Sequence, residues 1–182
     1  HRVAARIALG AGAHDIAFSD DSRTAFVTNK AAGTVSVIDV PSLTVAREIP
    51  TGRSPGRVAF SRIARAAYVT DALDGSVTVL DAERREVVTR IATEPGVGGI
   101  AFDRKGRFGF AWNPDNDELA IVDAAQNRVV QTGHMDKGPD QVTFSDTLAY
   151  VRHSGTDTVL MIPLDQIGTL DKNGTLDRWA KG

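Results

Sequence analysis

The side chains of this 182-residue chain best suited to chemistry are few. His14, His134 and His153 carry imidazole, the side chain most often used to hold a metal ion or haem iron, and so form one candidate metal or haem set. His134 and Met135 stand side by side as a soft ligand pair for copper or iron, but neighbouring residues on a strand point to opposite faces. A second set is polar. Arg57, with Asp15, Asp140 and Gln141, offers a guanidinium and acceptors for a small anion or a peptide, and His14 and His153 extend that set to six candidate ligand-binding residues. There is no cysteine, which removes disulfides and thiolate chemistry. No Ser, His and acid grouping has a local signature, no paired carboxylates stand out, and no catalytic residue is assigned.

These residues are placed by a repeat. Phe18, Phe60, Phe102 and Phe144 fall 42 residues apart, as do Ile16, Val58, Ile100 and Val142, and Asp39, Asp81, Asp123 and Asp165. Each copy alternates short β-rich runs, such as Arg57-Val58-Ala59-Phe60, Ala67-Tyr68-Val69-Thr70, Ser76-Val77-Thr78-Val79-Leu80 and Glu86-Val87-Val88-Thr89-Arg90-Ile91, with turn residues between them. Named A, B, C and D in order, four antiparallel strands in about 40 to 45 residues make one blade of a β-propeller, which hides its faces by stacking on neighbouring blades. The fold class is therefore all-β, with four blades. The repeat phase runs 3–46, 47–88, 89–130 and 131–165, and 166–182 is a C-terminal extension. The phase also predicts that a leading D-type strand in residues 3–9 closes the sheet made by the A, B and C strands of the last copy. Pro163 has no N–H for a ladder, so the last C strand is expected to be irregular or at an edge.

Strand polarity sorts the loops into two faces. The D to A and B to C connections lie on one, and they differ between copies: Gly12-Ala13-His14-Asp15, Ser54-Pro55-Gly56-Arg57, Gly96-Val97-Gly98-Gly99 and Gly138-Pro139-Asp140-Gln141. All three candidate histidines fall here. The A to B and C to D turns on the other face read as plain turn chemistry. Asn29, Asp71 and Asn113 recur where a short polar side chain closes a turn, and Trp112 reads as packed between blades. The glycines at 96–99 enter a strand, where a phosphate loop would enter a helix. Asp171-Lys172-Asn173-Gly174 echoes half a calcium loop without its bidentate acid, and Asn173-Gly174-Thr175 fits a glycosylation sequon formally.

Taken together, Phe26-Val27-Thr28-Asn29, Tyr68-Val69-Thr70-Asp71, Phe110-Ala111-Trp112-Asn113 and Tyr150-Val151-Arg152-His153 resemble the defining tetrapeptide of the YVTN-repeat β-propellers. The resemblance covers about residues 3 to 165 and implies a propeller of the surface-layer, exported-binding or periplasmic cytochrome d1-like kind, with a periplasmic or extracellular location. Relatives have seven or eight blades and this chain supplies four, so it is a closed four-bladed ring, half of a ring shared in a homodimer, or part of a longer propeller.

Composition narrows the partners. With 21 basic and 23 acidic residues and no basic run interleaved with aromatics, nucleic acid is not an expected partner. No apolar stretch reaches the length of a membrane span, and no signal peptide opens the sequence. The expected function is a non-catalytic binding or interaction module that takes a protein, peptide or small molecule on the varied face, with no cofactor. The alternatives are a haem- or metal-binding domain of a periplasmic oxidoreductase, using His14, His134 or His153, and a structural surface-layer repeat.

Overall fold

The computed structural model describes residues 2–167. Fifteen strands form three four-stranded sheets, β1-β2-β3-β4, β5-β6-β7-β8 and β9-β10-β11-β12, and one three-stranded sheet, β13-β14-β15. In chain order these are Ala13–Phe18, Thr24–Asn29, Thr34–Asp39, Thr44–Pro50, Pro55–Ser61, Ala66–Asp71, Ser76–Asp81, Glu86–Ala92, Gly99–Phe102, Phe108–Asn113, Glu118–Asp123, Arg128–His134, Pro139–Phe144, Leu148–His153 and Val159–Pro163. Every pairing is between consecutive antiparallel strands. A 3-10 turn, Leu164–Gln166, follows β15. The all-β class and the four blades expected from the repeat are present.

The turns recur because the chain repeats its left-handed positions. Gly12, Ser54, Gly96 and Gly138 each take a φ between 62° and 95° in the four D to A connections, one per blade at the repeat spacing. Leu43, Arg85 and Asn127 do the same in the C to D turns, at φ of 54°, 56° and 51°. A non-glycine residue in this region costs energy, so its recurrence shows that the turn shape is imposed by the sheet on either side.

Blades pack in chain order through three cores. Phe26, Val35, Val37 and Ile49 of blade 1 cover Val58, Ala67, Val69 and Leu80 of blade 2. Tyr68, Val77, Val79 and Ile91 cover Ile100, Ala111 and Val122. Phe110, Trp112, Leu119 and Ile121 cover Val142, Ala149, Val151 and Ile162. At each junction the B-strand aromatic of one blade meets the A-strand phenylalanine of the next: Phe26 and Phe60 at 6.2 Å, Tyr68 and Phe102 at 4.8 Å, Phe110 and Phe144 at 5.1 Å. This explains the phenylalanine repeat as packing. Trp112, 6% exposed, is packed between blades as expected, and Gly99 makes room for it, since a Cβ there would lie 2.2 Å from the indole.

Two expectations are corrected. Residues 3–9 form no strand and do not join the sheet of β13, β14 and β15; Ile7 and Leu9 instead pack on Ala25, Val27 and Ile38 of blade 1. Among the described residues the arc is open, with Ile16 and Phe18 of blade 1 each 50% exposed and Val159 and Met161 of blade 4 at 54% and 57%. The physical reason is the geometry of the stack. Blades contact one another in sequence, which leaves the end that would receive residues 3–9 on the far side of the arc. Asp165 is the second correction. Leu148 pairs with Pro163 where Thr24, Ala66 and Phe108 pair with Asp39, Asp81 and Asp123, so Asp165 falls two residues beyond their place, in the 3-10 turn. Among the described residues the strand ending at Pro163 stands at the edge of its sheet, as foreseen. The half calcium loop, the sequon and, save for Gln166 and Ile167, the C-terminal extension lie outside the described residues.

Candidate functional site

The face of the D to A and B to C connections spends much of its polar chemistry on holding blades together. The Asp15 carboxylate accepts a hydrogen bond from the Val58 N–H at 3.0 Å, and the Asp15 N–H donates to Thr28 Oγ1 at 3.1 Å. Thr28 in turn donates to the Gly56 carbonyl of blade 2 at 2.8 Å. Asp140 is held by Arg152 through two bonds of 2.9 Å, and this guanidinium keeps its carboxyl below the usual range. His153 is 3% exposed, and neither ring nitrogen has a hydrogen-bond partner among the described residues. The side chains of His14, Arg57 and Gln141 stand exposed at the starts of the A strands of blades 1, 2 and 4. The six candidate ligand-binding residues therefore divide: three are open to a ligand and three are engaged or enclosed.

The three histidines do not meet. His14 is exposed on β1, His134 is exposed at the end of β12, and His153 is enclosed on β14. Among the described residues no group of three or more His, Cys, Asp or Glu side chains is arranged to hold a metal ion. His134 sits opposite Glu118, whose carboxyl is pushed up by burial and by Glu94, with His134 acting against them.

The recurring strand-end residues act on the connection that precedes their blade as well as on their own turn. Asp71 is fully buried; its carboxylate accepts from the Gly52 N–H at 2.9 Å and from the Thr78 hydroxyl at 2.6 Å, and burial pushes its carboxyl up. Asn113 donates to the Pro95 carbonyl at 2.8 Å and accepts from the Asp115 N–H at 3.0 Å. Asn29 donates to Ser36 Oγ at 2.8 Å.

The opposite face, made of A to B and C to D turns, carries three hollows among the described residues. One of about 400 Å³ lies between blades 1 and 2, lined among others by Asp21, Arg23, Asp39, Arg65 and Arg85. Two of its carboxylates are already employed: Asp21 accepts from Ser19 and the Arg23 N–H, Asp39 from Ser42, and these bonds hold both below the usual carboxylate range. A second hollow, of about 830 Å³, lies between blades 3 and 4 and is lined by Arg104, Arg107, Phe108, Leu148 and Leu164 among others. A third, of about 350 Å³, opens where the A strands converge, lined by Phe18, Phe60 and Phe102 with Arg62, Arg104, Asp20, Asp103 and Gly106. These volumes fall within or near the few hundred cubic ångströms of small-ligand sites.

The third hollow brings together an apolar floor and two cations. Asp103 is turned inward to accept from the N–H groups of Arg107 and Phe108, at 2.7 and 3.1 Å. Arg62 is exposed and has no ion-pair partner among the described residues. Arg104 meets Asp146 of the next blade at 3.1 Å in a solvent-exposed pair, which is weak enough to exchange for a ligand carboxylate. Sequence reasoning missed this mouth. Its signal was the phenylalanine repeat, read only as a marker of period, together with Arg62 and Arg104 standing one repeat apart in turns read as plain.

Comparison with known proteins agrees with this architecture. No curated protein sequence matches the chain. Similar solved structures include Kuenenia stuttgartiensis hydrazine synthase, at 21% identity and a TM-score of 0.78 over 85% of this chain and 47% of that one, and the Pseudomonas aeruginosa periplasmic gluconolactonase, at 24% identity and 0.70 over 83% and 49%. At that identity they share the fold, and this chain spans about half the length of each. The model of the YNCE-like β-propeller family matches residues 2–107, more than half of the 182, and with the blade repeat that this region contains, the chain belongs to that family.

Proposed function

We propose that this chain is a binding module of an exported propeller, non-catalytic in itself, which takes an acidic ligand with an apolar or aromatic part at the mouth formed by its converging A strands. The observation that carries the reading is the hollow of about 350 Å³ in which Phe18, Phe60 and Phe102 stand beside Arg62 and Arg104. Phenylalanine rings supply contact area at low entropic cost, and a guanidinium beside them binds a carboxylate bidentately. A peptide bearing acidic and aromatic side chains fits this chemistry, as does a small aromatic acid. The exposed His14, Arg57 and Gln141 mark the other end of the A strands as a lesser contact surface. A periplasmic or extracellular location accords with the periplasmic gluconolactonase among its structural neighbours.

The test is calorimetric titration with short synthetic peptides carrying two carboxylates beside an aromatic ring. Binding is expected to weaken about tenfold or more for Arg62→Ala, in line with loss of a charged hydrogen bond of about 1.5–3 kcal/mol, and to fall with salt. Equal affinity of Arg62→Ala and the parent protein would reject the site.

A further inference from the structure

The hollow of about 400 Å³ between blades 1 and 2 is a departure from the repeat. Arg23, Arg65 and Arg107 hold one repeat position, each directly before the B strand of its blade and near the aspartate that ends the C strand. In blade 3 that arginine is folded back on its own blade: Arg107 lies over the Phe108 ring at 4.8 Å and donates to Asp123 at 3.3 Å. Blades 1 and 2 have Thr24 and Ala66 where blade 3 has Phe108, so the ring that holds the guanidinium is missing. Arg23 and Arg65 are exposed, line the hollow, and have no ion-pair or side-chain hydrogen-bond partner among the described residues.

A second difference between repeats adds a third cation. At the junction of blades 2 and 3 the Tyr68 hydroxyl donates to Asn127, tying the B strand of one blade to the C to D turn of the next. One repeat earlier Phe26 has no hydroxyl to give, and Arg85 stands in the place of Asn127, with φ of 56° against 51°. Arg85 instead reaches Asp39 of blade 1 at 3.6 Å, a half-exposed pair of the kind that contributes little. Asp39 and Asp21 are bound to their own turns, and Asp81 likewise accepts the N–H groups of Glu83 and Arg84 at 2.9 and 2.7 Å. The carboxyls of Asp21 and Asp39, lowered first by the donors of those turns, are lowered further by Arg23 and Arg65 and by Arg85 and Arg23, which places all three guanidinium groups around one hollow. Its walls belong to the sides of blades 1 and 2 that face each other. Further blades at either end of the arc would pack on the sides of blades 1 and 4 that face away from it.

This hollow adjoins the mouth at the converging A strands, since Asp20 and Phe60 line both. We propose that it is a second subsite for the same ligand, in which a further carboxylate lies between Arg23 and Arg65 while Arg62 holds the first, with Arg85 exchanging Asp39 for the incoming group. The inference rests on the reading of the mouth as a site for an acidic ligand. It narrows that ligand to an extended acidic peptide, because the anionic groups have to reach from one hollow to the other past Phe60. A guanidinium fork matches the two oxygens of a carboxylate, and two forks without partners have no protein ion pair to give up on binding. The junction of blades 2 and 3 has no such subsite, since Arg107 is closed on Asp123 and Asn127 is taken by Tyr68.

Calorimetry at low salt compares the acidic aromatic probe with the same peptide extended to carry one more aspartate two, three or four positions from the aromatic residue. At least one extended probe is expected to bind about fivefold more tightly than the unextended one, the scale of two exposed ion pairs, and the gain is expected to shrink as salt is raised. Extension with asparagine in place of aspartate is expected to give no gain. The variant carrying both Arg23→Gln and Arg65→Gln, two exposed positions where the side-chain stem is kept, is expected to bind extended and unextended probes alike. Arg62→Ala is expected to weaken both. Extended probes that gain nothing would overturn the second subsite and leave the mouth standing, as would a gain that survives in the double variant or with asparagine. An unextended probe that binds Arg62→Ala and the parent protein equally would reject the mouth, and the subsite with it.

Discussion

His153 and Asp71 occupy the same place in different blades and show how one residue sets local stability. In blade 3 that place holds Asn113, which donates to the Glu94 and Pro95 carbonyls; in blade 4 it holds an imidazole with two buried nitrogens and no partner among the described residues. An unpaired buried polar group costs on the order of 1–3 kcal/mol. His153→Asn is therefore expected to raise stability by about 1 kcal/mol, read as a higher denaturation midpoint in urea; an unchanged or lower midpoint would show that the ring's packing outweighs its lost hydrogen bonds. Asp71 differs in charge. Burial raises its carboxyl in the folded protein, so between the unfolded and folded values the unfolded chain gives up its proton first, and stability falls as pH rises through that window. Asn fits in its place, since Asn29 already donates to the equivalent Ser36. Asp71→Asn is expected to stabilise the protein at pH 7, with the gain shrinking as the pH is lowered into the carboxylate range, a trend that thermal melts across pH will display or refute.

At the scale of strands and turns, the period was legible because packing between blades is itself periodic. Phe60, Phe102 and Phe144 are spaced alike because each meets Phe26, Tyr68 or Phe110 of the previous blade, and such contacts leave a mark in sequence. The role of Asp15 was not legible in the same way. It stands in a varied connection and reads as a ligand group, yet it accepts the Val58 N–H across a junction, a contact that sequence spacing does not report. Asp15→Ala leaves that amide unpaired at a position 6% exposed, and a loss of about 1–3 kcal/mol is expected. Hydrogen exchange offers the local check: the Val58 amide is expected to lose protection well before those of β10 and β11, and uniform loss across all sheets would contradict a junction-specific role. The misplaced Asp165 carries a similar lesson. A count of 42 residues matched by composition, but only the pairing of Leu148 with Pro163 reveals where the two-residue shift falls.

For the whole molecule, the sequence announced four blades and their order, while the openness of the arc and the location of its hollows depended on packing that no single repeat encodes. The face with the more varied sequence turned out to hold ties between blades, in Asp15 and Thr28, while hollows of about 400, 830 and 350 Å³ lie on the face with the plainer turns. Turn chemistry explains this. Short turns capped by their own aspartates stand back from one another and leave space between blades, as Asp39 and Asp81 do by accepting the N–H groups of Ser42 and Arg84. The most direct measurement is a backbone amide NMR titration with the acidic aromatic peptide probes. The account predicts that shifts concentrate at Phe18, Arg62, Phe102 and Arg104, with His14, Arg57 and Gln141 moving little. Shifts concentrated at His14, Arg57 and Gln141 would contradict it and return the binding surface to the opposite face.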